Sequence, residues 1–149
     1  MKFLLTRELG RLAKWLRILG FDTRYFKEGN AGALTIEALR EGRTVITRNH
    51  HLPQSRGLKI LVLEEEKIKE QVKEALKALK IEPSSDMMFS RCTLCNVALA
   101  GIEKEKVKDK VPEYVFQTQN EFRACRECAR IYWQGTHWGN VLEILEKIK

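Results

Sequence analysis

All four cysteines of the chain lie in two pairs, and each pair has two residues between its thiols. The pairs are Cys92 with Cys95 and Cys125 with Cys128. A two-residue gap lets a tight turn direct two thiolates at one metal ion, and two such turns supply the four sulfur ligands of a tetrahedral zinc site. Because such a site has no open position, its role is to fold the segment rather than to catalyse a reaction. The sequence therefore predicts a structural Zn²⁺ site.

The same cysteines allow three other interpretations. Two disulfides would suit a secreted protein, but nothing at the N-terminus resembles a secretory signal, which favours a reducing cytoplasm. A redox-active C-x-x-C motif usually occurs once, at the start of a helix, rather than twice. An iron–sulfur centre uses the same ligands, and the spacing does not distinguish it from zinc.

A second group of polar residues follows the predicted strands, where an open α/β sheet gathers its functional groups. The group consists of Thr6 and Arg7, residues 27–31 and residues 48–51. A metal-dependent nuclease needs several carboxylates there to hold Mg²⁺ or Mn²⁺. Glu28 is the only acid in this group, and Asp22 lies at the opposite end of its strand. The sequence thus predicts a poor site for a divalent cation.

Basic residues surround the same strand ends and are candidates for contacts with nucleic-acid phosphates. These residues are Arg7, Arg11, Lys14, Arg17, Arg48 and His50. The first four recur every three or four positions, so they are expected to share one helix face, which either grips phosphates or is merely solvated. The adjacent pair His50 and His51 could act as an acid–base pair. Since no acid is adjacent, we interpret both as exposed loop residues of a basic patch.

The composition agrees with a folded protein that has a polyanionic partner. The chain has 149 residues, and 44% of them are hydrophobic, which is enough for a core and excludes general disorder. Its net charge of +7 favours nucleic acid as the partner, and an anionic membrane surface second. No apolar run approaches the length of a membrane span.

The elements that position these residues alternate between strands and helices. The predicted order is strand 2–5, helix 7–19, strand 22–26, a short helix ending near Glu41, strand 44–47, strand 58–63 and helix 65–80. This alternation predicts an α/β fold with a parallel sheet and flanking helices. Residues 82–86 are typical of a linker, so the predicted domains are 1–82 and 83–149. The second is expected to end in a helix from Val141 to Ile148.

Several stretches resemble the Mut-7 C-terminal RNase-domain family. Residues 9–23 (LGRLAKWLRILGFDT) resemble its opening signature, and residues 42–48 (GRTVITR) resemble its third-strand motif. Residues 91–96 (RCTLCN) and 130–138 (RIYWQGTHW) resemble the two halves of its zinc ribbon. The resemblance covers nearly the whole chain in the family's order. It implies a PIN-like α/β domain, a C-terminal zinc ribbon with four cysteine ligands, and a metal-dependent ribonuclease activity.

The sequence departs from that family where the resemblance places the active-site acids. Thr6 replaces an aspartate after the first strand, Ala31 and Gly32 replace acids before the second helix, and Asn49 replaces an aspartate after the third strand. Without these ligands little is left to hold Mg²⁺ or Mn²⁺. The neighbouring basic residues remain, so the cleft is better suited to binding phosphate than to cleaving it.

We therefore expect a cytoplasmic protein that binds RNA or a ribonucleoprotein, has a degenerate metal site and does not associate with membranes. Two alternatives stay open. The chain could be an active ribonuclease that uses Mg²⁺ or Mn²⁺ with acids such as Asp22 or Glu28, or with the histidines His50 and His51. Alternatively, the zinc ribbon and the final helix could dock on a protein partner within an RNA–protein complex.

Overall fold

Residues 1–135, 141–143 and 145–147 are described by the computed structural model. They fall into two units, Met1–Asn96 and Val97–Lys149. Each unit contains its own sheet, and the sheet of the first unit is parallel. The predicted α/β class is confirmed, whereas the predicted boundary between residues 82 and 83 stays a prediction.

The first unit is built on four strands in the order β2-β1-β3-β4. These strands are β1 (Lys2–Leu5), β2 (Asp22–Tyr25), β3 (Thr44–Thr47) and β4 (Ile60–Val62). The central strands β1 and β3 are apolar along most of their length because strands covered on both faces need no polar side. Five of their apolar side chains are completely buried: Phe3, Leu4, Leu5, Val45 and Ile46. Leu5 pairs with Ile46, so the residues that follow both strands meet at one edge.

Three helices accompany this sheet: α1 (Gly10–Ile18), α2 (Ala31–Glu41) and α3 (Ile68–Leu79). The helix predicted over 7–19 is divided, because Arg7–Leu9 forms a separate 3₁₀ turn before α1. α2 packs on the sheet through Leu34 and Ala38, which join Leu4 and Val45 in one buried cluster. α1 and α3 contact each other. Both β4 and α3 are a few residues shorter than predicted.

The ends of α1 and α2 depend on particular residues. Asn30 precedes α2, and its side-chain oxygen accepts a hydrogen bond from the N–H of Ala33 at 2.9 Å, which caps the helix. Ala31 and Gly32, expected in a loop, are therefore the first helical residues. Gly42 ends α2 with a φ of 66°, a left-handed conformation that glycine adopts without strain. After α1, a Cβ on Gly20 would clash with the carbonyl group of Met87, so only glycine fits there.

The second unit contains a small antiparallel sheet that was not predicted. Its strands β5 (Ala100–Ile102), β6 (Phe122–Ala124) and β7 (Ile131–Trp133) lie in chain order, and α4 (Glu113–Thr118) precedes β6. Val107, Val115 and Phe122 form its buried cluster. Three-residue strands are too short to show alternation in the sequence.

The end of the chain is described in part. Residues 141–143 and 145–147 are helical, in agreement with the predicted final helix. Ile148, where that helix was expected to end, and residues 136–138 of the ribbon motif lie outside the described residues. Across the parts of the chain that the structure does describe, no helix combines the length and the apolar character that a membrane crossing requires.

Candidate functional site

A cleft of about 500 Å³ lies beside the carboxyl ends of β1, β2 and β3. Its polar lining comes from the three segments that follow these strands. The lining residues used below are Thr6, Arg7, Glu8, Lys27, Glu28, Asn30, Ala31 and Asn49. The structure thus brings together residues that are up to 43 positions apart in the sequence, as the topology of a parallel sheet requires.

Glu8 is the acid at the centre of the hydrogen bonds beside this cleft. Its Oε1 atom accepts from the hydroxyl of Thr6 at 2.6 Å, from the N–H of Arg48 at 3.0 Å and from the hydroxyl of Thr47 at 3.2 Å. The hydroxyl oxygens of Thr6 and Thr47 are 2.9 Å apart. The N–H of Asn49 donates to the same Thr47 oxygen at 3.0 Å. The network therefore connects the ends of β1 and β3 through one carboxylate.

These contacts set the protonation state of Glu8. Partial burial by itself would raise the pKa of Glu8, but hydrogen bonds from Thr6, from the backbone of Arg48 and of Glu8 itself, and from Thr47 outweigh it and lower the pKa. The group is a carboxylate at neutral pH. Because its pKa falls on folding, the stabilisation is present above the ordinary glutamate pKa and is lost as the pH drops through the folded-state value. Its Oε1 atom is already satisfied by protein donors.

Two asparagines of the cleft have fixed amide orientations. The oxygen of Asn30 accepts from the N–H of Ala33, and the oxygen of Asn49 accepts from the N–H of His51, each at 2.9 Å. A backbone N–H needs an acceptor, so these contacts determine which end of each amide is oxygen. Each oxygen already accepts a backbone N–H, and each NH₂ group is a donor available to a ligand.

The positions at which the resemblance implies acids lie at or beside this cleft. Thr6, Ala31 and Asn49 line the cleft, and Gly32 follows in the first turn of α2. Asp22, considered as a substitute acid, lies at the opposite end of β2. Its carboxylate accepts from Arg43 at 2.8 Å and from the amide of Asn96 at 2.7 Å, outside the cleft.

The predicted phosphate contacts are not equally placed. Arg7, Arg11 and Lys14 are exposed, and within the described ranges no carboxylate forms an ion pair with them. Arg48 is half-buried and lies 3.8 Å from a carboxylate oxygen of Glu66. His50 and His51 are exposed, as interpreted from the sequence, and the ring of His50 lies 3.3 Å from Glu64.

The prediction that Arg17 belongs to the exposed basic face is wrong. Its guanidinium is buried and donates to the backbone carbonyls of Thr23, Thr93 and Leu94 at 2.9, 2.7 and 3.2 Å. Each three-residue step falls short of a full helical turn by about 60°. Two such steps separate Arg11 from Arg17, so the side chain of Arg17 points towards the protein interior. It therefore does not belong to the solvent-facing cations.

The four cysteines form one cluster. The sulfur atoms of Cys92, Cys95, Cys125 and Cys128 all lie within 4.8 Å of one another, and no disulfide joins these four described residues. The N–H of Cys95 points at the sulfur of Cys92, and the N–H of Glu127 at the sulfur of Cys125, each at 3.4 Å. Such N–H···S contacts orient a thiolate in a ligand-bearing turn. The cluster could hold one metal ion.

Comparison with known proteins decides the family. The profile of the family described as Mut7-C RNAse domain matches residues 1–145, essentially the whole chain. The chain belongs to the Mut7-C family. Neither the curated proteins nor the solved structures contain a match. The resemblance stated from residues 9–23, 42–48, 91–96 and 130–138 is thereby confirmed.

Since a Mut7-C domain is described as a ribonuclease, the fit of its cleft to Mg²⁺ or Mn²⁺ can be tested on the residues present. These ions prefer several carboxylate oxygens. The acids in the lining of this Mut7-C cleft are Glu8 and Glu28. One oxygen of Glu8 is already occupied by three donors, and the two asparagines present NH₂ groups. This donor set fits an anion better than a divalent cation.

Two residues of this Mut7-C cleft were missed from sequence. Glu8 falls at the start of the helix predicted over 7–19 and was given no role there, whereas the 3₁₀ turn directs its carboxylate to the strand ends. No local signal reveals that turn. Asn30 could have been found, because an asparagine just before the apolar repeat Ala31, Leu34 and Ala38 is a typical helix cap.

Proposed function

We propose that this protein binds single-stranded RNA, alone or within a ribonucleoprotein, at the cleft beside β1 and β3, and does not cleave it with a divalent metal. The ribonuclease family supports RNA as the ligand. The net charge of +7 supports attraction of a polyanion. The amide donors and the cations around the cleft support recognition of phosphate groups.

The orientation of Asn49 is the observation that carries the proposal. Its oxygen is held by the N–H of His51, so its NH₂ group is the end that reaches a ligand. An aspartate in the same conformation would offer a second oxygen, which is a cation ligand. The exchange of oxygen for NH₂ thus replaces a metal ligand with a donor to phosphate oxygen. The amide of Asn30, at the N-terminus of α2, is oriented in the same way by its contact with Ala33.

The cations extend this donor set beyond the cleft. Arg7 lines the cleft directly, and Arg11 and Lys14 follow along the exposed side of α1. Exposed cations without carboxylate partners keep their full attraction for phosphate. A strand of RNA with one phosphate at the amide donors would place the following phosphates beside α1. Most of the affinity would then come from backbone contacts, with little dependence on base sequence.

Reversing the charge of Arg7, Arg11 and Lys14 to glutamate together should weaken RNA binding roughly 100-fold at moderate salt. Each lost phosphate contact removes about 0.7 from the slope of log K against log salt for single strands, so the slope should fall by about 2. The measurement is fluorescence anisotropy of a labelled single-stranded 15-mer RNA over a series of salt concentrations.

The matched control reverses the charge of three other exposed cations of the first unit, Lys59, Lys69 and Lys77. Both triple variants change the net charge by the same amount. If the control loses as much RNA affinity and salt dependence as the Arg7/Arg11/Lys14 variant, the attraction of RNA comes from the net charge of the chain and not from this surface. Equal binding by the α1 variant and the unmodified protein would place the RNA elsewhere.

An active metal-dependent ribonuclease is the second candidate, and the presence of both Glu8 and Glu28 in the cleft lining favours it. The variant Glu8→Gln separates the candidates because a glutamine oxygen can keep the contacts with Thr6, Thr47 and Arg48. Under our proposal there is no Mn²⁺-dependent cleavage, and Glu8→Gln binds RNA at least as tightly, since a negative charge leaves the cleft.

Cleavage of single-stranded RNA by the unmodified protein in Mn²⁺, stopped by EDTA and lost in Glu8→Gln, would establish the enzyme instead. A control variant, Glu37→Gln, changes an acid on α2 that is outside the cleft lining. It should leave both assays unchanged. The readouts are gel analysis of labelled RNA and the anisotropy titration described above.

We also infer that the ion held by the four cysteines is zinc with a structural role. Four thiolates suit Zn²⁺ at tetrahedral geometry, and an all-protein ligand set leaves no position for a substrate. The mutual approach of the four sulfurs to within 4.8 Å supports a single ion. Thiolate ligands without a disulfide among them suit a reducing compartment, which supports the proposed cytoplasmic location.

A further inference from the structure

Within the first unit, the buried side chain of Arg17 connects the turn that carries Cys92 and Cys95 to the parallel sheet. This guanidinium donates to the carbonyls of Thr93 and Leu94, the two residues between the cysteines, at 2.7 and 3.2 Å. Its Nε donates to the carbonyl of Thr23 in β2 at 2.9 Å. One planar group therefore connects the outermost strand of the sheet to the backbone of a metal-binding turn.

Asn96, directly after the turn, makes a second attachment. Its side-chain oxygen accepts from the N–H of Thr23 at 2.9 Å, and its NH₂ group donates to Asp22 at 2.7 Å. Its own N–H donates to the carbonyl of Cys92 at 3.0 Å, which closes the turn. Asn96 has a φ of 65°, a left-handed conformation that asparagine tolerates better than most residues.

The carboxylate that receives Asn96 is itself held in place. Asp22 also accepts from Arg43, whose side chain is buried and forms a second ion pair with Glu41 at 2.5 Å. Partial burial would raise the pKa of Asp22, but the hydrogen bonds from Arg43 and Asn96 and the charges of Arg43 and Arg91 lower it. Asp22 is thus ionised at neutral pH and is a firm acceptor for the Asn96 amide.

We propose that Arg17 and Asn96 are positioning residues that fix the turn 92–96 in its metal-binding conformation before the metal arrives. This inference rests on the proposed zinc centre and goes beyond it, because it assigns part of the metal affinity to residues that are not ligands. The α/β unit supplies the order that a free peptide turn would have to gain on binding. The pre-ordered pair of thiols then binds the ion with a smaller loss of conformational entropy.

A lysine at position 17 tests the role of the guanidinium. A single ammonium lacks the planar fork that reaches three carbonyls in fixed directions, although it keeps the charge. We expect Arg17→Lys to bind Zn²⁺ about tenfold or more weakly, as is typical when a partner of a metal ligand is lost. Zn²⁺ affinity is measured on the full chain by competition with a chromogenic chelator.

A second readout does not need the metal. In the metal-free protein, hydrogen exchange at the N–H of Asn96 reports whether the turn is already closed. The unmodified protein should protect this amide, and Arg17→Lys should expose it. Asn96→Gly serves as a second variant, because glycine accepts the positive φ while both side-chain contacts disappear. It should show the same loss of Zn²⁺ affinity.

Two controls separate positioning from general destabilisation. Val72→Ala removes core volume in α3, where Val72 is completely buried, and Val72 takes part in none of the hydrogen bonds described above for the turn 92–96. Arg24→Lys changes an exposed arginine next to Thr23 whose ion pairs are with Glu37 and Glu41. Both controls should keep the Zn²⁺ affinity and the protection of Asn96.

The results that would overturn the inference are distinct from those that would overturn the zinc centre. Unchanged Zn²⁺ affinity in Arg17→Lys and Asn96→Gly, or an equal loss in Val72→Ala, would remove the positioning role. An unprotected Asn96 amide in the metal-free unmodified protein would do the same. If the unmodified protein binds no Zn²⁺, the zinc proposal fails, and the exchange measurement still decides whether Arg17 orders the turn.

Discussion

Replacing Cys92 with serine should remove zinc from the protein, from about one ion per chain to none. A serine hydroxyl is a much poorer zinc ligand than a thiolate, and Cys92 is fully buried within the cluster. The small sheet β5–β7 should then lose its order, because the cluster Val107, Val115 and Phe122 is a small core for an independent fold. The parallel sheet of the first unit has its own core and should persist.

Two measurements follow these two effects separately. Metal analysis of the purified protein gives the zinc content, and hydrogen exchange resolved by residue distinguishes β5–β7 from β1–β4. The control is Leu94→Ser, which changes an exposed residue of the same turn and leaves all four thiols in place. It should retain the zinc and the protection of both sheets. Full zinc content in Cys92→Ser would contradict the role of Cys92 as a ligand, and loss of order in both sheets would contradict the independent core of the first unit.

The elements predicted well from sequence are those whose signals are local. β1 and β3 have the predicted ends because their apolar runs are covered on both faces and end abruptly at polar residues. The ends of the first two helices were predictable because a glycine, Gly20 or Gly42, follows each apolar repeat, and both glycines have a positive φ. The clustering of the four cysteines at one site was predictable because the spacing C-x-x-C is itself a geometric constraint.

The elements predicted poorly depend on contacts between distant residues. Arg17 was assigned to an exposed face, but its acceptors Thr93 and Leu94 are 76 and 77 positions away and carry no signal near the helix. Glu8 was missed for the same reason, since two of its donors, Thr47 and Arg48, belong to the end of another strand. Sequence therefore located the cleft through its strands, whereas the direction of each polar group required the structure.

The double variant Thr6→Asp/Asn49→Asp should acquire a divalent-metal site. An aspartate at position 49 can keep the contact with the N–H of His51 through one oxygen and present the other in place of the NH₂ group. An aspartate at position 6 no longer donates to Glu8 and adds a carboxylate beside it. Three carboxylates that repel one another in a partly buried cleft favour a bound cation. We expect Mn²⁺ affinity to rise at least about tenfold over the unmodified protein.

The same double variant should bind RNA more weakly in the absence of metal, because two carboxylates that repel phosphate replace the hydrogen-bond donors of Thr6 and Asn49. Mn²⁺ binding is measured by calorimetry, and RNA binding by anisotropy with EDTA present. The charge-matched control is Gln117→Glu/Asn120→Asp, which adds the same two negative charges at exposed positions of the second unit. If that control gains as much Mn²⁺ affinity, the effect is one of net charge. The opposite outcome is that the unmodified protein already binds Mn²⁺ as tightly as the double variant does. In that case Thr6 and Asn49 are sufficient for metal binding, and the result favours an active metal-dependent ribonuclease.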